Sequence, residues 1–255
     1  MVKLVLIPPL GHDQKFYDPL VSLLPGKEIL RLDYPYFDQS FPWESEDLIN
    51  ELAHYFSRII DQHPEVNILG VSLGATLSLR IKEILGTKVR HLFMVSSGGH
   101  KVASFRKEMI LSHMKTQGQE TFLLNALEVG STKEFSESEF RLHFHHDLTF
   151  PKAYWKHFTE VLWSKDHRRI GSPHLMNLVK ASVEVNFEEL LSHFQKDITI
   201  IWGEQDKVFS MRFYEKFKKL CKESQFYLYE NVGHFSPLET PEKIKDILLG
   251  YEKTL

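Results

Sequence analysis

The stretch that decides the fold reads Gly70-Val71-Ser72-Leu73-Gly74. It follows a short apolar run and opens a run with helical periodicity. A nucleophile elbow requires this order: a strand, a sharp turn that carries one serine, and a helix. The glycines leave room for the turning backbone, and the N-terminus of the helix favours a developing negative charge. The stretch therefore predicts a nucleophilic serine, Ser72, raised above the carboxyl edge of a sheet.

Two later turns carry an acid and a histidine, and each turn follows a strand-like run. Asp206 lies in a glycine turn after one apolar run, and His234 lies in a glycine turn after the next. Because the carboxyl ends of parallel strands meet at one edge of a sheet, we expect both side chains to lie near Ser72. His234 would take the serine proton as a base, and Asp206 would orient the imidazole. Glu204 is the nearest alternative to Asp206.

With serine, aspartate and histidine in this chain order, the sequence resembles the α/β-hydrolase superfamily, in particular its small members with a helical cap. The resemblance covers nearly the whole chain. It includes the turn at residues 32–35 and the segment 239–242 that follows the histidine. It implies a serine hydrolase whose catalytic triad is Ser72, Asp206 and His234, and which needs no cofactor.

The oxyanion hole implied by the resemblance consists of two backbone N–H groups, those of Leu10 and Leu73. One departure from the family lies beside it, because Pro8-Pro9 stands where these hydrolases usually carry His-Gly. Neither proline has a backbone donor, but the N–H of Leu10 remains. The prolines fix φ at both positions, so we expect a preset loop in which the Leu10 N–H still faces the serine. The alternative that stays open is a hole with Leu73 as its only donor, as in a slow enzyme or a binding protein.

Apolar runs alternate with helical patterns along the chain, which is the signature of βαβ units. Crossovers between parallel strands are nearly always right-handed, so the pattern predicts an α/β fold with a doubly wound, mostly parallel sheet of six strands. We expect all six strands to be parallel, with no antiparallel hairpin ahead of the first, and we expect Ser45 to cap the second helix. Strands are predicted at residues 3–7, 28–32, 66–69, 89–95, 198–202 and 225–229, and helices at residues 13–24, 45–62, 73–85, 209–220 and 240–251.

A long segment without a strand signal interrupts this pattern, and it is too long for an ordinary loop. Its stretches with helical periodicity lie at residues 102–116, 120–129, 136–146 and 152–163. We therefore predict a first part of the α/β-hydrolase core at residues 1–98, a helical cap at 99–171 and a second part of the core at 172–255. The many large aromatic residues of the cap predict an apolar pocket over the catalytic edge.

The composition excludes several classes of function. The chain has 255 residues and a formal net charge of −3, so it lacks the basic surface that nucleic acid or an anionic membrane would require. No run approaches the roughly 20 apolar residues that span a bilayer, and no signal-like segment leads the chain. Cys221 is the single cysteine, which excludes an internal disulfide and fits a reducing compartment. We predict a cytoplasmic protein whose partner is a small-molecule substrate, and the oligomeric state stays open.

The sequence also disfavours a metal site. The stretch His143-Phe144-His145-His146 places two histidines on one face of a predicted helix. No acid or cysteine with the spacing of metal ligands accompanies them. We interpret the stretch as a solvated or pocket-lining part of the cap.

The resemblance implies hydrolysis of a carboxylic ester or thioester of a small, largely apolar molecule through an acyl-serine intermediate. Two alternatives on the same scaffold stay open. One is hydrolysis of a carbon–carbon bond or of an N-terminal amide, as by an aminopeptidase, and the other is a ligand-sensing protein without turnover. A haloalkane-type reaction is disfavoured because the nucleophile is serine rather than aspartate. The fold alone cannot choose the substrate.

Overall fold

A central sheet determines where the candidate site residues meet. The computed structural model describes residues 3–98, 141, 143–145, 151–158, 160, 174, 177–178, 180–182 and 185–253. The strands of this part are β1 (Lys3–Ile7), β2 (Ile29–Arg31), β3 (Val66–Val71), β4 (Val89–Val95), β5 (Ile198–Gly203) and β6 (Gln225–Tyr229). They form one sheet in the order β2-β1-β3-β4-β5-β6, and every neighbouring pair is parallel. The predicted six-stranded parallel sheet is confirmed.

Helices connect the strands and cover both faces of the sheet. Those of the described residues are α1 (Asp18–Ser22), α2 (Leu48–Ile60), α3 (Leu73–Leu85), α4 (Lys152–His157), α5 (Glu188–His193), α6 (Met211–Leu220), α7 (Ser236–Glu239) and α8 (Pro241–Glu252). Short 3₁₀ helices lie at Gln14–Tyr17, Gly86–Lys88 and Gln195–Asp197. The bounds of α3 match the prediction, since Gly86, with a φ of 58°, ends the helix in a conformation that favours glycine.

Both faces of the sheet are buried, as parallel strands with crossover helices require. Along β1, Val5 and Ile7 belong to one apolar core with α2 and α3, whereas Leu4 and Leu6 belong to a second core with α1 and α8. All residues of β3, the strand that precedes Ser72, are buried. The two cores therefore pack against the sheet from both sides. The carboxyl ends of its parallel strands lie along one edge of the sheet.

Some helices differ from their predicted positions. α2 begins at Leu48, after Asp47, rather than at Ser45. The Ser45 hydroxyl accepts a hydrogen bond from the Asp47 N–H at 3.2 Å, so it closes a turn ahead of the helix instead of capping it. The sequence does not predict α5 and α7, because helices of six and four residues carry too little periodicity to be recognised.

The predicted cap is described only in part. α4 coincides with the start of the helix predicted at 152–163, and the other predicted cap helices lie largely outside the described residues. Residues 143–145, predicted at the end of a helix, form a turn. Residues ahead of Lys3 are not described either, so the missing N-terminal hairpin stays a prediction. Among the described helices, none combines the length and the apolar character needed to cross a membrane.

Candidate active site

Ser72 occupies the turn between β3 and α3, at the carboxyl edge of the sheet. Its φ of 54° lies in the left-handed region that residues with a side chain rarely adopt. Hydrogen bonds hold this conformation, because the Ser72 N–H donates to the Val95 carbonyl at 2.9 Å and the Ser72 carbonyl accepts the Thr76 N–H at 3.1 Å. Ser72 is half-buried rather than sealed in the core. A strained, partly accessible serine at a strand–helix turn has the geometry of a nucleophile elbow.

The glycines on either side of Ser72 make this turn possible. A Cβ atom at Gly70 would lie 2.5 Å from the backbone nitrogen of Ala75, and one at Gly74 would lie 2.3 Å from the carbonyl oxygen of Ile7. Both distances are far below van der Waals contact, so a residue with a side chain does not fit. The approach at Gly74 also brings the first turn of α3 against the end of β1.

Asp206 and His234 form a buried pair at the same edge, after β5 and β6. His234 Nδ1 lies 2.8 Å from Asp206 Oδ2, and both side chains are almost fully buried. The other carboxylate oxygen, Oδ1, accepts the N–H groups of Val208 and Phe209 at 2.8 Å each. Because a carboxylate only accepts hydrogen bonds, it favours the tautomer with the proton on Nδ1 and leaves Nε2 of His234 as an acceptor.

The turn that carries Asp206 packs directly on the turn that carries His234. A Cβ atom at Gly203 would lie 2.3 Å from the carbonyl oxygens of the two residues that precede His234. Glu204, the alternative acid, is exposed, and its carboxylate accepts a hydrogen bond from the neighbouring glutamine side chain. The structure thus brings Asp206, and not Glu204, to the imidazole.

Residues 143 and 145, which belong to the predicted cap, and Glu239 of α7 hold the His234 turn from the other side. The His143 carbonyl oxygen accepts the backbone N–H of His234 at 2.8 Å. The carboxylate of Glu239 accepts the N–H of Gly233 at 2.8 Å and the N–H of His145 at 2.9 Å. The imidazole is therefore held both through its ring and through its backbone.

Ser72 and His234 lie at the ends of different strands, and no hydrogen bond joins their side chains in the described part of the chain. Catalytic hydrogen bonds are often long or poorly aligned before a substrate is bound. The structure therefore shows a hydrogen-bonded Asp206–His234 pair and a strained serine turn, with no Ser72–His234 hydrogen bond among the described residues.

The predicted oxyanion donors lie at the ends of the adjacent strands β1 and β3. Leu10 is half-buried in the loop that follows β1 (residues 8–12, the β1 loop). This loop has three N–H groups, and those of Gly11 and His12 donate to Tyr36 and Pro9. The third, on the residue between Pro9 and Gly11, has no acceptor among the described residues.

Leu73 is the first residue of α3, a position at which a helix leaves its N–H without an intrahelical partner. It directly follows Ser72, so its N–H lies beside the strained turn. Two backbone N–H groups without described acceptors therefore follow the ends of the adjacent strands β1 and β3.

His12 has no motif that marks it in the sequence, yet it lies buried beside the site. Its Nδ1 lies 2.8 Å from the Tyr154 hydroxyl of α4, and its ring packs against Phe235 with 4.9 Å between centroids. Burial lowers the pKa of His12 well below its ordinary value, and the charges of His143 and His234 lower it further. His12 is therefore a neutral polar group in an aromatic wall.

The remaining candidates from the sequence do not form a second site. The His143 ring stacks on Phe235 at 4.4 Å, while His146 lies outside the described residues. Within the described ranges, no three His, Cys, Asp or Glu side chains are grouped to hold a metal ion. Cys221 is buried, and burial raises its pKa to about 11, so its thiol is not poised to react.

The geometry and the chain order of these residues agree with a comparison against protein families. The model for the alpha/beta hydrolase fold matches residues 4–241. The chain belongs to the α/β-hydrolase family. No curated protein sequence matches it.

Solved structures of a candidate lipase, a hydrolase and an esterase are similar to this structure over nearly the whole chain. A candidate lipase of Acinetobacter baumannii AYE has a TM-score of 0.79 at 20% identity, over 100% of this chain and 85% of the other. The 2-hydroxy-6-oxo-6-phenylhexa-2,4-dienoate hydrolase of Rhodococcus sp. strain RHA1 has a TM-score of 0.79 at 16% identity, over 99% and 90%. An esterase of Exiguobacterium antarcticum has a TM-score of 0.75 at 18% identity, over 99% and 92%. At these identities the likeness shows the fold alone.

Proposed function

We propose that this α/β-hydrolase is a serine hydrolase that cleaves a carboxylic ester or thioester of a small apolar molecule. The observation that carries the proposal is the buried Asp206–His234 pair, bonded at 2.8 Å, at the same sheet edge as Ser72 with its φ of 54°. A backbone conformation of this kind costs about 1–3 kcal/mol, and such conformations cluster at functional sites. An oriented imidazole beside a strained serine therefore supports nucleophilic catalysis better than a structural role.

The reaction follows from the donors and acceptors of the site. Ser72 Oγ bonds to the carbonyl carbon of the substrate, and its proton passes to Nε2 of His234. Asp206 keeps Nδ1 protonated and stabilises the imidazolium. His234 then donates the proton to the departing alcohol or thiol, which leaves an acyl group on Ser72. Water then bonds to the acyl carbon while His234 takes its proton, and His234 returns that proton to Ser72 Oγ as the acyl–oxygen bond breaks and the carboxylic acid leaves.

The negative charge of the tetrahedral intermediate needs donors that the folded protein has not already used. The N–H groups of Leu10 and Leu73 meet this requirement, because neither has an acceptor among the described residues. Each donor of this kind contributes about 3–4 kcal/mol to the transition state. Because Leu10 keeps its N–H, the Pro8-Pro9 departure from the family pattern is compatible with a complete oxyanion hole.

The surroundings of the imidazole favour an apolar substrate. The Phe209 ring lies 5.4 Å from that of His234, between centroids, and His12 packs on Phe158 of the cap at 5.0 Å. Such walls bind acyl chains or small aromatic groups and exclude water from the reacting carbonyl. The neutral pair of His12 and Tyr154 supplies a polar group within the wall that could orient the substrate.

Active-site labelling tests the proposal. A fluorophosphonate should label Ser72 with one equivalent and abolish hydrolysis of p-nitrophenyl esters, and Ser72→Ala should prevent both. Ser78→Ala is the matched control, because this buried serine of α3 uses its hydroxyl to bond the Ala75 carbonyl at 2.6 Å. Labelling of another residue, or full activity in Ser72→Ala, would overturn the proposal.

A substrate panel separates the alternatives that share the scaffold. Esters of increasing acyl length, a matched thioester, an aminoacyl anilide and a vinylogous diketone should each be assayed over many turnovers. The proposal expects the ester and thioester to turn over fastest. Preference for the anilide or the diketone would identify the aminopeptidase or the carbon–carbon hydrolase, and a single turnover with every substrate would identify a sensor.

A further inference from the structure

Two tyrosine hydroxyls hold the β1 loop on either side of Leu10. Ahead of Leu10, the Tyr34 hydroxyl donates to the Pro8 carbonyl at 2.9 Å. After Leu10, the Gly11 N–H donates to the Tyr36 hydroxyl at 2.9 Å. The peptide that carries the Leu10 N–H is therefore bracketed by two hydrogen bonds to side chains from a different part of the chain.

The tyrosines are themselves fixed. The Tyr36 N–H donates to the Tyr34 carbonyl at 2.8 Å, and Pro35 between them restricts φ. The Tyr34 ring packs on Phe56 at 5.6 Å, and the Tyr36 ring stacks on Trp43 at 6.0 Å. Burial raises the pKa of both hydroxyls, so they stay protonated and their hydrogen bonds persist over the working pH range. The two hydroxyls thus form a stable frame for the loop.

We propose that Tyr34 and Tyr36 are positioning residues that aim the Leu10 N–H at the oxyanion formed on Ser72. The inference rests on the proposed hydrolase function and deepens it. Its physical reason lies in Pro8-Pro9, because two consecutive prolines leave this part of the loop without N–H groups to brace it. The hydroxyls from the end of β2 supply the bracing from outside, and they leave the Leu10 N–H as the free donor.

The expected loss of kcat can be estimated from the cost of removing or displacing an oxyanion donor. Loss of one oxyanion donor costs about 10²–10³-fold in kcat, and a displacement of about 1 Å can cost 10²-fold. A Tyr→Phe change removes the hydroxyl and keeps the ring packing, so it loosens one flank of the loop only. We therefore expect about a tenfold loss of kcat for each single change and about 100-fold for both, with KM close to wild type.

The experiment compares wild type, Tyr34→Phe, Tyr36→Phe and the double variant on one p-nitrophenyl ester. A trifluoromethyl ketone, which forms a tetrahedral adduct on the serine, should bind each variant more weakly by the same factor as its kcat falls. Tyr229→Phe is the matched control, because its hydroxyl donates to a backbone carbonyl, that of Lys243, far from the β1 loop. It should leave both quantities unchanged.

The outcomes separate this inference from the proposed function. If wild type neither turns over esters nor reacts with a fluorophosphonate at Ser72, the function has failed. If wild type is active but both single variants and the double variant keep kcat within about twofold, the positioning role is refuted. A loss of kcat without weaker ketone binding would refute it as well. Any variant that unfolds at the assay temperature is measured at the lower temperature where its near-UV circular dichroism matches wild type.

Discussion

The two sides of the candidate site are built in different ways. On one side, Asp206 and His234 are bonded to each other and are almost fully buried. On the other side, Ser72 and Leu10 are half-buried, and they are placed by backbone conformation and by hydrogen bonds to neighbouring residues. We refer to these as the acid–base side and the attack side.

The difference follows from when each group finds its partner. An acid and a base that act on each other can be satisfied inside the folded protein, and burial strengthens their hydrogen bond. The groups that meet the substrate must stay unpaired until it arrives, since a donor already bonded to the protein cannot stabilise an oxyanion. Backbone hydrogen bonds hold Ser72 in its strained conformation, and tyrosine hydroxyls hold the loop around Leu10, without occupying the Ser72 hydroxyl or the Leu10 N–H.

The largest expected effect is on the acid–base side. His234→Ala and Asp206→Asn should each lower kcat by roughly 10³-fold or more, because the serine then has no base or a base in the wrong tautomer. The losses should not add in the double variant, since the pair acts as one unit. Steady-state kinetics on a p-nitrophenyl ester, with thermal unfolding to verify the fold, measures both.

Glu204→Gln is the control for this pair, because Glu204 lies in the same turn but is exposed. It should keep activity near that of wild type. An inactive Glu204→Gln together with a nearly normal Asp206→Asn would show that Glu204, rather than Asp206, is the acid that supports His234.

The acid–base side and the serine turn could be predicted from the sequence because each residue sits in a short motif of its own. Glycine marks the turn at Ser72 and the turns before Asp206 and His234, and each turn directly follows an apolar run. In a parallel sheet such runs end at one edge, so the placement of these residues along that edge follows from local patterns alone.

The rest of the attack side could not be predicted in this way. The tyrosines that hold the β1 loop belong to the segment after β2, and they reach Pro8 and Gly11 of that loop because β2 pairs with β1. The sequence feature that could have indicated this contact is the pair Tyr34 and Tyr36, which flank Pro35 just after β2. The contact of His12 with Tyr154 depends on how α4 packs against the β1 loop, which no local pattern encodes.

The next largest effect is expected from alanine substitutions at one glycine on each side, Gly203 and Gly74. Gly203→Ala would place a Cβ atom 2.3 Å from backbone oxygens of the His234 turn, and Gly74→Ala would place one 2.3 Å from the Ile7 carbonyl oxygen and 2.7 Å from that of Pro8. Each forces a backbone shift, so we expect about a 100-fold loss of kcat in both. The causes should differ, because the first change moves the imidazole and the second moves the β1 loop.

Proton NMR distinguishes the two causes. The Nδ1 proton of His234, bonded to the Asp206 carboxylate, should give a downfield resonance that persists in Gly74→Ala and is shifted or lost in Gly203→Ala. Gly250→Ala is the control, since nothing lies within 4 Å of its Cβ position in α8, and it should raise stability by about 0.5–1 kcal/mol. If both active-site variants keep the resonance, the Asp206 and His234 turns are less tightly coupled than their packing indicates.

The smallest expected effect concerns the protonation of His12, in the β1 loop, and its contribution to the free energy of unfolding. Burial lowers the pKa of His12 well below 6.5, with repulsion from His143 and His234 as the second cause. Below about pH 6.5 the unfolded chain therefore binds a proton at this position that the folded protein does not bind. The free energy of unfolding must fall as the pH falls through this window, by up to about 1.4 kcal/mol per pH unit from this one group.

His12→Asn should remove that slope while it keeps a polar group beside Tyr154. Urea unfolding between about pH 5.5 and pH 7.5 measures it, as the difference in slope between the variant and wild type. His91, whose pKa burial lowers to about 4, contributes equally to both proteins and cancels in the comparison. His54→Asn, at an exposed position of α2, controls for the loss of an imidazole as such. If the free energy of unfolding depends on pH equally in His12→Asn and wild type, His12 binds its proton in the folded protein as it does in the unfolded chain. A positive charge would then lie near His234, and His12 could no longer be described as a neutral group in the aromatic wall.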